Sequence, residues 1–307
     1  MRLCKIALLL CILAYAFFSS AVVNGADNKA ATLRIGYAMK TLYDVDMKDA
    51  HAAFSMWSSE IGTQTGYIAT LTMYDNAEAL MKEFRKGAVD FAIVTHADFF
   101  HMDRRDIDQD YMVTNMRGGK KGHTYMLMVQ RDSPFQHIRD LKGRKITLVK
   151  SDPMGETFLD TLLLKNGLSE CDTFFSSVEE KVKVSQALLS VFFGQSDACL
   201  IPDATYKTMV ELNPQLKQKL RTITTSDNLL VGIGIFRKNY EENQKNKVFK
   251  QIITLQNSPR GKQILLLFKS EAFARVEEND LQSLNKLQDD YARLTNQKGN
   301  RLVAKTH

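Results

Sequence analysis

The chain has 307 residues, 44% of them hydrophobic and 25% charged, which is the composition of an ordinary soluble globular protein. Its formal net charge of +6 at pH 7 is spread along the chain without a basic cluster, so we expect no nucleic-acid partner. No grouping of Ser, His and Asp, or of Cys and His, has the arrangement of a catalytic or metal site. We therefore predict a protein that is not an enzyme and needs no metal or cofactor.

The first 25 residues have the three parts of a secretory signal peptide. Arg2 and Lys5 form a positively charged start, residues 6–18 an apolar run, and residues 19–26 a stretch of small residues. We predict cleavage before Ala26, with cleavage after Ala26 and retention as an uncleaved anchor as alternatives. The apolar run is shorter than the roughly 20 residues that span a bilayer, which favours cleavage and a mature protein in the periplasm.

Strand and helix alternate in the first half of the mature chain. The first helix has an apolar stripe at helical spacing, formed by Ala53, Phe54, Trp57 and Ile61. The order indicates a parallel sheet with helices on both faces, whose ligand-binding edge lies at the carboxyl ends of the strands. The predicted strands are residues 32–38, 68–74 and 89–94, and the predicted helices are residues 50–61 and a helix from the N-cap Asn76 to Gly87.

The same alternation restarts after one long predicted strand, residues 124–131, and is followed by another, residues 229–237. From Tyr240 to about residue 294 the chain is predicted to be helical. Before the restart, we expect the acid-rich residues 101–110 to form a mobile surface loop and residues 118–121 a solvated loop. The restarted part has predicted strands at residues 146–149, 173–176 and 198–201, and predicted helices at residues 156–165 and 184–193.

Together these elements predict an α/β fold of two lobes with a ligand cleft between them. Lobe I comprises residues 26–125 and 235–307 and lobe II residues 126–234, each a mostly parallel sheet flanked by helices. The two long strands are the predicted crossings, and such paired connections allow hinge closure over a ligand. The C-terminal helices are expected to pack on lobe I.

Short motifs in a fixed order carry a family resemblance across nearly all of the mature chain. They occupy residues 33–36, Trp57 with Gly62 and Gly66, and residues 86–92, 129–134, 140–145, 194–198 and 258–262. With this ordered set the chain resembles the phosphate/phosphonate (PhnD-like) substrate-binding family of ABC transporters, which has the type II periplasmic-binding-protein fold.

The resemblance implies a monomeric solute-binding protein outside the cytoplasmic membrane that closes over a small polar ligand, phosphonate- or phosphate-like, and delivers it to a membrane permease. The alternative is a ligand-binding sensor component that reports to a membrane signalling protein. The two functions predict the same cleft and differ in the membrane partner.

The resemblance also assigns ligand contacts in lobe II. The family's oxyanion cradle, with the pattern Asp-Pro-x-Ser-Thr-Ser-Gly, corresponds to the segment from Asp152, which points to Ser151, Gly155, Glu156 and Thr157. This chain departs from the pattern at Glu156, whose carboxylate would repel an oxyanion. Glu156 is expected either to cap the free amides of the helix or to meet an amine of the ligand.

Lobe I is expected to contribute residues that follow its strands. Tyr43 is a candidate lid, Tyr74 ends the second strand, and Thr95 and His96 follow the third strand, where the family binds an oxyanion. Their alternatives are an exposed loop tyrosine, a core aromatic residue and a plain helix N-cap. Asp203, after the last strand of lobe II, is expected either to face a ligand amine or to cap the next helix.

Removal of the signal segment would leave two cysteines, Cys171 and Cys199. They could pair in an oxidising compartment. The predicted strands beside them lie on opposite sides of a third strand, which favours two separate thiols.

Overall fold

The computed structural model describes residues 31–38, 47–230 and 232–305, the side chains of Met47 and of residues 298–305 excepted. The predicted signal segment, residues 1–25, and Tyr43 lie outside the described residues. Within the described part of the chain, no helix is both long and apolar enough to cross a membrane.

The described chain contains twelve strands and eleven helices. The first group is β1 (Thr32–Ala38), α1 (Met47–Thr65), β2 (Ile68–Tyr74), α2 (Ala77–Arg85), β3 (Phe91–Thr95), α3 (His96–Phe100), β4 (Ile107–Arg117) and β5 (Lys120–Lys121). The second group is β6 (His123–Gln130), β7 (Lys145–Val149), α4 (Pro153–Lys165), α5 (Cys171–Phe174), β8 (Ser177–Lys181), α6 (Val184–Phe192), β9 (Ala198–Pro202), α7 (Asp203–Leu212), α8 (Gln215–Lys219) and β10 (Leu220–Leu229). The last group is β11 (Gly232–Arg237), α9 (Glu242–Ile253), α10 (Pro259–Leu267), β12 (Ala272–Arg275) and α11 (Gln282–Lys305).

Two mixed sheets organise these elements. The first has seven strands in the order β12-β4-β11-β3-β1-β2, with β5 paired to β4. The second has five strands in the order β10-β6-β9-β7-β8. The predicted strands at residues 32–38 and 68–74 are β1 and β2, which pair in parallel as expected, and β3 lies parallel on the other side of β1. The strands that follow add antiparallel pairings to both parallel cores.

The chain passes from the first sheet to the second between β5 and β6 and returns between β10 and β11. The predicted strand at residues 124–131 corresponds to β6 and lies within the second sheet. The predicted strand at residues 229–237 is divided, because Leu229 ends β10 and Gly232 begins β11. The chain therefore crosses between the two sheets at short segments, and not along long continuous strands.

The prediction of a surface loop at residues 101–110 is wrong from residue 107 onward. The strand β4 begins at Ile107, and Asp108 within it is only 4% exposed. The Asp108 carboxylate forms an ion pair with the ammonium group of Lys245 on α9, whose side chain is 1% exposed. A buried carboxylate needs such a partner, and this one lies 137 residues away in the sequence.

The predicted strand at residues 173–176 is also wrong. The helical turn α5 occupies this place, and the strand β8 begins at Ser177. Phe174 and Phe175 are both buried and pack edge to face, with ring centroids 4.9 Å apart. Their apolar character therefore reflects core packing at a turn rather than a strand.

The C-terminal helices divide between the two sheets. The helices α9 and α10 pack on α1, as expected, but α11 packs on α4 and β10 of the second sheet. An ion pair of 2.5 Å between Lys165 of α4 and Asp290 of α11 accompanies this contact. The amphipathic α11 finds its apolar partner surface there, because Leu284 and Leu287 are buried in a core cluster that includes Phe158 of α4.

Cys171 and Cys199 are separate thiols, in agreement with the expectation from the strand order. Cys199 lies in β9, whereas Cys171 lies in the helical turn α5 that precedes β8. Burial, followed by the nearby charges of Asp160 and Asp172, raises the pKa of Cys171 to about 12, which keeps this thiol protonated and unreactive.

Candidate functional site

The carboxyl ends of the parallel strands define one edge of the first sheet. The strand β3 ends there at Thr95, and β4 ends there at Arg117. The antiparallel β11 begins at the same edge, because Gly232 is paired with Thr95. Residues from the second sheet approach this edge, since the chain crosses between the sheets beside it.

Thr95 is the N-cap of α3. Its hydroxyl donates to Oδ2 of Asp98 at 2.6 Å and accepts from the Asp98 amide at 3.1 Å, while Oδ2 of Asp98 accepts from the Thr95 amide at 3.3 Å. This reciprocal arrangement satisfies the amides of Asp98 and Thr95 within the chain. Thr95 therefore has the structural role that the sequence offered as its alternative.

His96 is 2% exposed, and burial lowers the pKa of its imidazole to about 4. The ring is therefore neutral near pH 7 and brings no positive charge to the sheet edge. Its Nδ1 atom has no hydrogen-bond partner among the described residues.

Asp152 occupies the start of α4, where the resemblance places an oxyanion. Its Oδ1 atom accepts from the Gly155 amide at 3.2 Å and from the Tyr125 hydroxyl at 2.7 Å. A Cβ atom on Gly155 would lie 2.8 Å from Oδ2 of Asp152, which explains the glycine. Ser151, at the end of the preceding loop, is exposed and has a left-handed φ of 57°. The chain thus supplies its own carboxylate to this helix start. In the sequence, an Asp followed directly by a Pro is typical of the start of a helix.

Glu156 does not cap α4, since Asp152 does so. Although Glu156 is exposed, partial desolvation, followed by the negative charges of Glu180, Asp160 and Asp172, raises its pKa. The Thr157 hydroxyl donates to the Pro153 carbonyl at 2.8 Å, one helical turn back. Neither side chain presents a free donor to an anion in this arrangement.

Asp203 is the first residue of α7 and is 8% exposed. Its Oδ2 atom lies 2.9 Å from Nζ of Lys207 and 3.7 Å from Nζ of Lys120, and its Oδ1 atom accepts from the Thr124 amide at 3.3 Å. Burial alone would raise the pKa of Asp203, but these partners hold it below its ordinary value. The residue links α7 to β5 and β6, at the crossing between the sheets.

Tyr74 is half-buried against the core cluster that the two sheets share.

The substitution Asp152→Asn is expected to flatten part of the pH dependence of stability. Burial raises the pKa of Asp152 to about 6, against the opposing hydrogen bonds from Tyr125 and Gly155. The folded protein therefore holds this proton up to about pH 6 and the unfolded chain only to about pH 4, so its contribution to stability falls as the pH rises through that window. We expect the variant to gain about 1–3 kcal/mol relative to wild type between pH 4 and pH 7 in urea unfolding.

The matched control for that comparison is Asp132→Asn, because Asp132 is exposed. Its unfolding free energy relative to wild type should be nearly the same at both pH values. A difference between Asp152→Asn and wild type that does not change with pH would contradict the burial of a titrating carboxyl at this helix start.

A cavity of about 190 Å³ lies at the carboxyl edge of the first sheet and extends beneath α1. Most of its wall is apolar, and residues of β6, β9 and the starts of α6 and α7 line its outer side. None of the predicted site residues that the structure describes lines it. The lining residues are Ala50, Ala53, Phe54, Trp57, Phe91, Ile93, Val113, Thr114, Asn115, Arg117, His123, Val184, Pro202, Thr205, Gly232, Gly234, Ile252, Leu267, Phe268, Lys269, Ser270 and Phe273.

The polar groups of this cavity favour a negative charge. Arg117 and Lys269 line it, and no carboxylate does among the described residues. Burial, followed by the charge of Arg117, lowers the pKa of His123 to about 4, so this imidazole is neutral near pH 7. Trp57 is 2% exposed, and its indole N–H has no hydrogen-bond partner in the described chain. These residues come from α1, β4, β6 and the end of α10, and the sequence carried no local signal that brings them together.

Solved structures with the same fold come from several bacteria. A Xanthomonas citri protein bound to ATP superposes with a TM-score of 0.64 at 14% sequence identity, covering 87% of this chain and 99% of its own. A binding-protein component of an ABC phosphonate transporter from Pseudomonas aeruginosa gives a TM-score of 0.61 at 15% identity, with 87% and 88% covered. PhnD1 from Prochlorococcus marinus, in complex with methylphosphonate, gives 0.60 at 16% identity, with 83% and 96% covered. A search of curated proteins found no match.

The architecture is therefore that of the type II periplasmic binding proteins, as the sequence predicted. The family model described as "ABC transporter, phosphonate, periplasmic substrate-binding protein" matches residues 42–281, more than three quarters of the chain. The chain belongs to this family. The family consists of solute-binding proteins of ABC transporters, which implies a small-molecule ligand and a membrane permease as partners.

Proposed function

We propose that this protein binds a small organic anion in the periplasm and delivers it to the permease of an ABC transporter. The observation that carries the proposal is the cavity at the carboxyl edge of the first sheet, where Arg117 and Lys269 are the charged residues among the described lining. The family description names phosphonates, and the Prochlorococcus protein holds methylphosphonate, so phosphonates are the first ligand class to test.

Arg117 is the group that we assign to the ligand's anionic end. It is half-buried at the end of β4, and its guanidinium forms no hydrogen bond or ion pair with any described residue. A guanidinium presents a planar fork of donors that matches a phosphonate or carboxylate, and such charge-assisted bonds are about twice as strong as neutral ones.

The starts of α3 and α4 already carry capping side chains, which supports an anion site away from the cradle that the family resemblance implied. At the starts of α3 and α4 the Asp98 amide already bonds to Thr95, the Thr95 amide to Asp98, and the Gly155 amide to Asp152. An oxyanion at either place would compete with these bonds and would meet a carboxylate. Arg117 has no such competitor. Tyr43 precedes α1, which forms much of the cavity wall, so we retain it as a proposed lid.

The remaining parts of the proposal follow from the sequence. The signal peptide is cleaved before Ala26, the protein is a monomer, and closure moves residues 126–234 relative to residues 26–125 and 235–307. The mass of the exported protein, light scattering, and small-angle scattering with and without ligand test these three statements in turn. A permease rather than a sensor protein is the proposed partner because the family is defined by ABC transporters.

Binding is tested by thermal shift on the exported protein with methylphosphonate, phosphate, sulfate, amino acids and polyamines. A ligand at 100 times its dissociation constant adds about 2.7 kcal/mol to the free energy of unfolding, which is readily measured. We expect at least one anion to stabilise the protein, and Arg117→Gln to weaken its binding by about 10- to 100-fold. The control Arg139→Gln removes an exposed arginine elsewhere and should leave the affinity unchanged. Stabilisation by polyamines alone, or by no anion, would contradict the proposal.

A further inference from the structure

The cavity is deeper and more apolar than an anion-binding group such as a phosphonate requires. Its inner wall consists of Phe54, Trp57, Phe91, Val113 and Ile252, each at most 4% exposed. All five belong to the core cluster between the first sheet and the helices α1 and α9. The charged lining residues lie at the outer end, where Arg117 is half-buried and Lys269 is exposed.

The volume of the cavity sets the size of the group that fits. A cavity of roughly 150 Å³ with an apolar lining admits a benzene ring, that is, about six heavy atoms. The cavity here has about 190 Å³. A methylphosphonate at Arg117 would leave most of the inner wall without a contact.

Trp57 supplies a second observation on the same wall. Buried donors in proteins nearly always have a partner. The indole N–H of Trp57 is buried and has none in the described chain, although the tryptophan lines the cavity. The wall therefore offers both apolar surface and one donor to an occupant that the chain itself does not provide.

We propose that the ligand is an organic anion with a largely apolar body of about six heavy atoms, its charged end at Arg117 and its body against Trp57 beneath α1, where one acceptor atom meets the indole N–H. The inference rests on the function proposed above and specifies the ligand class of that site. Charge and apolar surface are arranged at opposite ends of one cavity, which matches an amphiphilic anion better than a compact, fully polar one.

The test is a calorimetric titration of the exported protein with n-alkylphosphonates from methyl to butyl. Each buried methylene should tighten binding about fourfold, which gives about 60-fold between methyl and butyl. Trp57 is the single tryptophan of the chain, so its fluorescence reports the cavity directly. We expect butylphosphonate to change the Trp57 emission on binding.

A matched pair of substitutions on α1 tests the location. Ala53→Leu places extra carbons in the cavity, because Ala53 lines it, and should reduce the butyl-to-methyl ratio to a few-fold. Ala52→Leu adds the same carbons at an exposed position one residue away and should keep the full ratio. The series on wild-type protein stands even if Ala53→Leu fails to fold.

The outcomes distinguish a failure of the apolar-body inference from a failure of the proposed anion-binding function. If methyl- and butylphosphonate bind with equal affinity, or if they bind without changing the Trp57 emission, the apolar-body inference is wrong and the anion-binding function stands. If no anion binds, the proposed function fails, and the inference fails with it.

Discussion

Replacing Asp90 with alanine is expected to lower the free energy of unfolding by about 3–5 kcal/mol. The Asp90 carboxylate is fully buried and accepts from Nε and a terminal nitrogen of Arg34 at 2.8 and 2.6 Å. It also accepts from the Arg34 amide at 3.0 Å and from Arg237 at 3.1 Å. These contacts join β1, the start of β3 and β11. Their loss leaves Arg237, whose side chain is 20% exposed, without its carboxylate partner.

Urea unfolding followed by the emission of Trp57 measures this effect, because the indole ring packs 5.8 Å from that of Phe91, the residue after Asp90. The control Asp132→Ala removes an exposed carboxylate and should change stability by less than about 0.5 kcal/mol. Adding Arg237→Leu to Asp90→Ala should restore part of the lost unfolding free energy, since it removes the unpaired positive charge of Arg237. Equal effects of Asp90→Ala and Asp132→Ala would show that the ion-pair cluster is not what holds these strands together.

Replacing Gly122 with alanine is expected to cost about 2–5 kcal/mol of stability, where the chain crosses from the first sheet to the second. Gly122 has a left-handed φ of 82°, and a Cβ atom there would lie 2.2 Å from the Leu229 carbonyl oxygen. Leu229 ends β10, beside the return crossing. The clash is with backbone, which cannot rotate away, so the two crossing segments would have to move apart.

Gly118 is the matched control for this substitution. It has a comparable φ of 60°, but nothing lies within 4 Å of a Cβ atom built there. Gly118→Ala should therefore cost only the left-handed backbone energy of about 1–2 kcal/mol. The difference between the two variants in thermal unfolding isolates the contact at the crossing. Similar losses for both would indicate that the two crossing segments are not packed against each other.

Local sequence signals predicted the structure correctly where a helix or strand is determined by its own residues. The N-cap Asn76 accepts from the Ala79 amide at 2.9 Å, and the predicted stripe of α1 is buried at Ala53, Phe54, Trp57 and Ile61. Spacing and capping act over a few residues, so the sequence expresses them directly. The succession of strands and helices likewise predicted the correct fold class, and the ordered short motifs carried the resemblance to the family.

Residues with two local explanations could not be assigned from sequence. Thr95 could bind a ligand or cap a helix, and only the position of Asp98 in the folded chain shows the reciprocal cap. The family pattern pointed to the neighbours of Asp152, although Asp152 itself provides the carboxylate that caps α4. The choice depended on burial against Tyr125, a residue 27 positions away.

The sequence by itself determined most of the alternation of strands and helices and the buried face of α1, and its ordered motifs carried the resemblance to the family of type II periplasmic binding proteins. Only the tertiary structure decided which charges are buried in pairs, as Asp108 and Lys245 are, and where the cavity at the carboxyl edge of the first sheet lies. Trp57, Arg117 and Lys269 are far apart in the chain, and they line one cavity because α1, β4 and the segment after α10 come together in the fold. Burial and charge complementarity depend on contacts between residues that are distant in sequence, so local composition does not encode them.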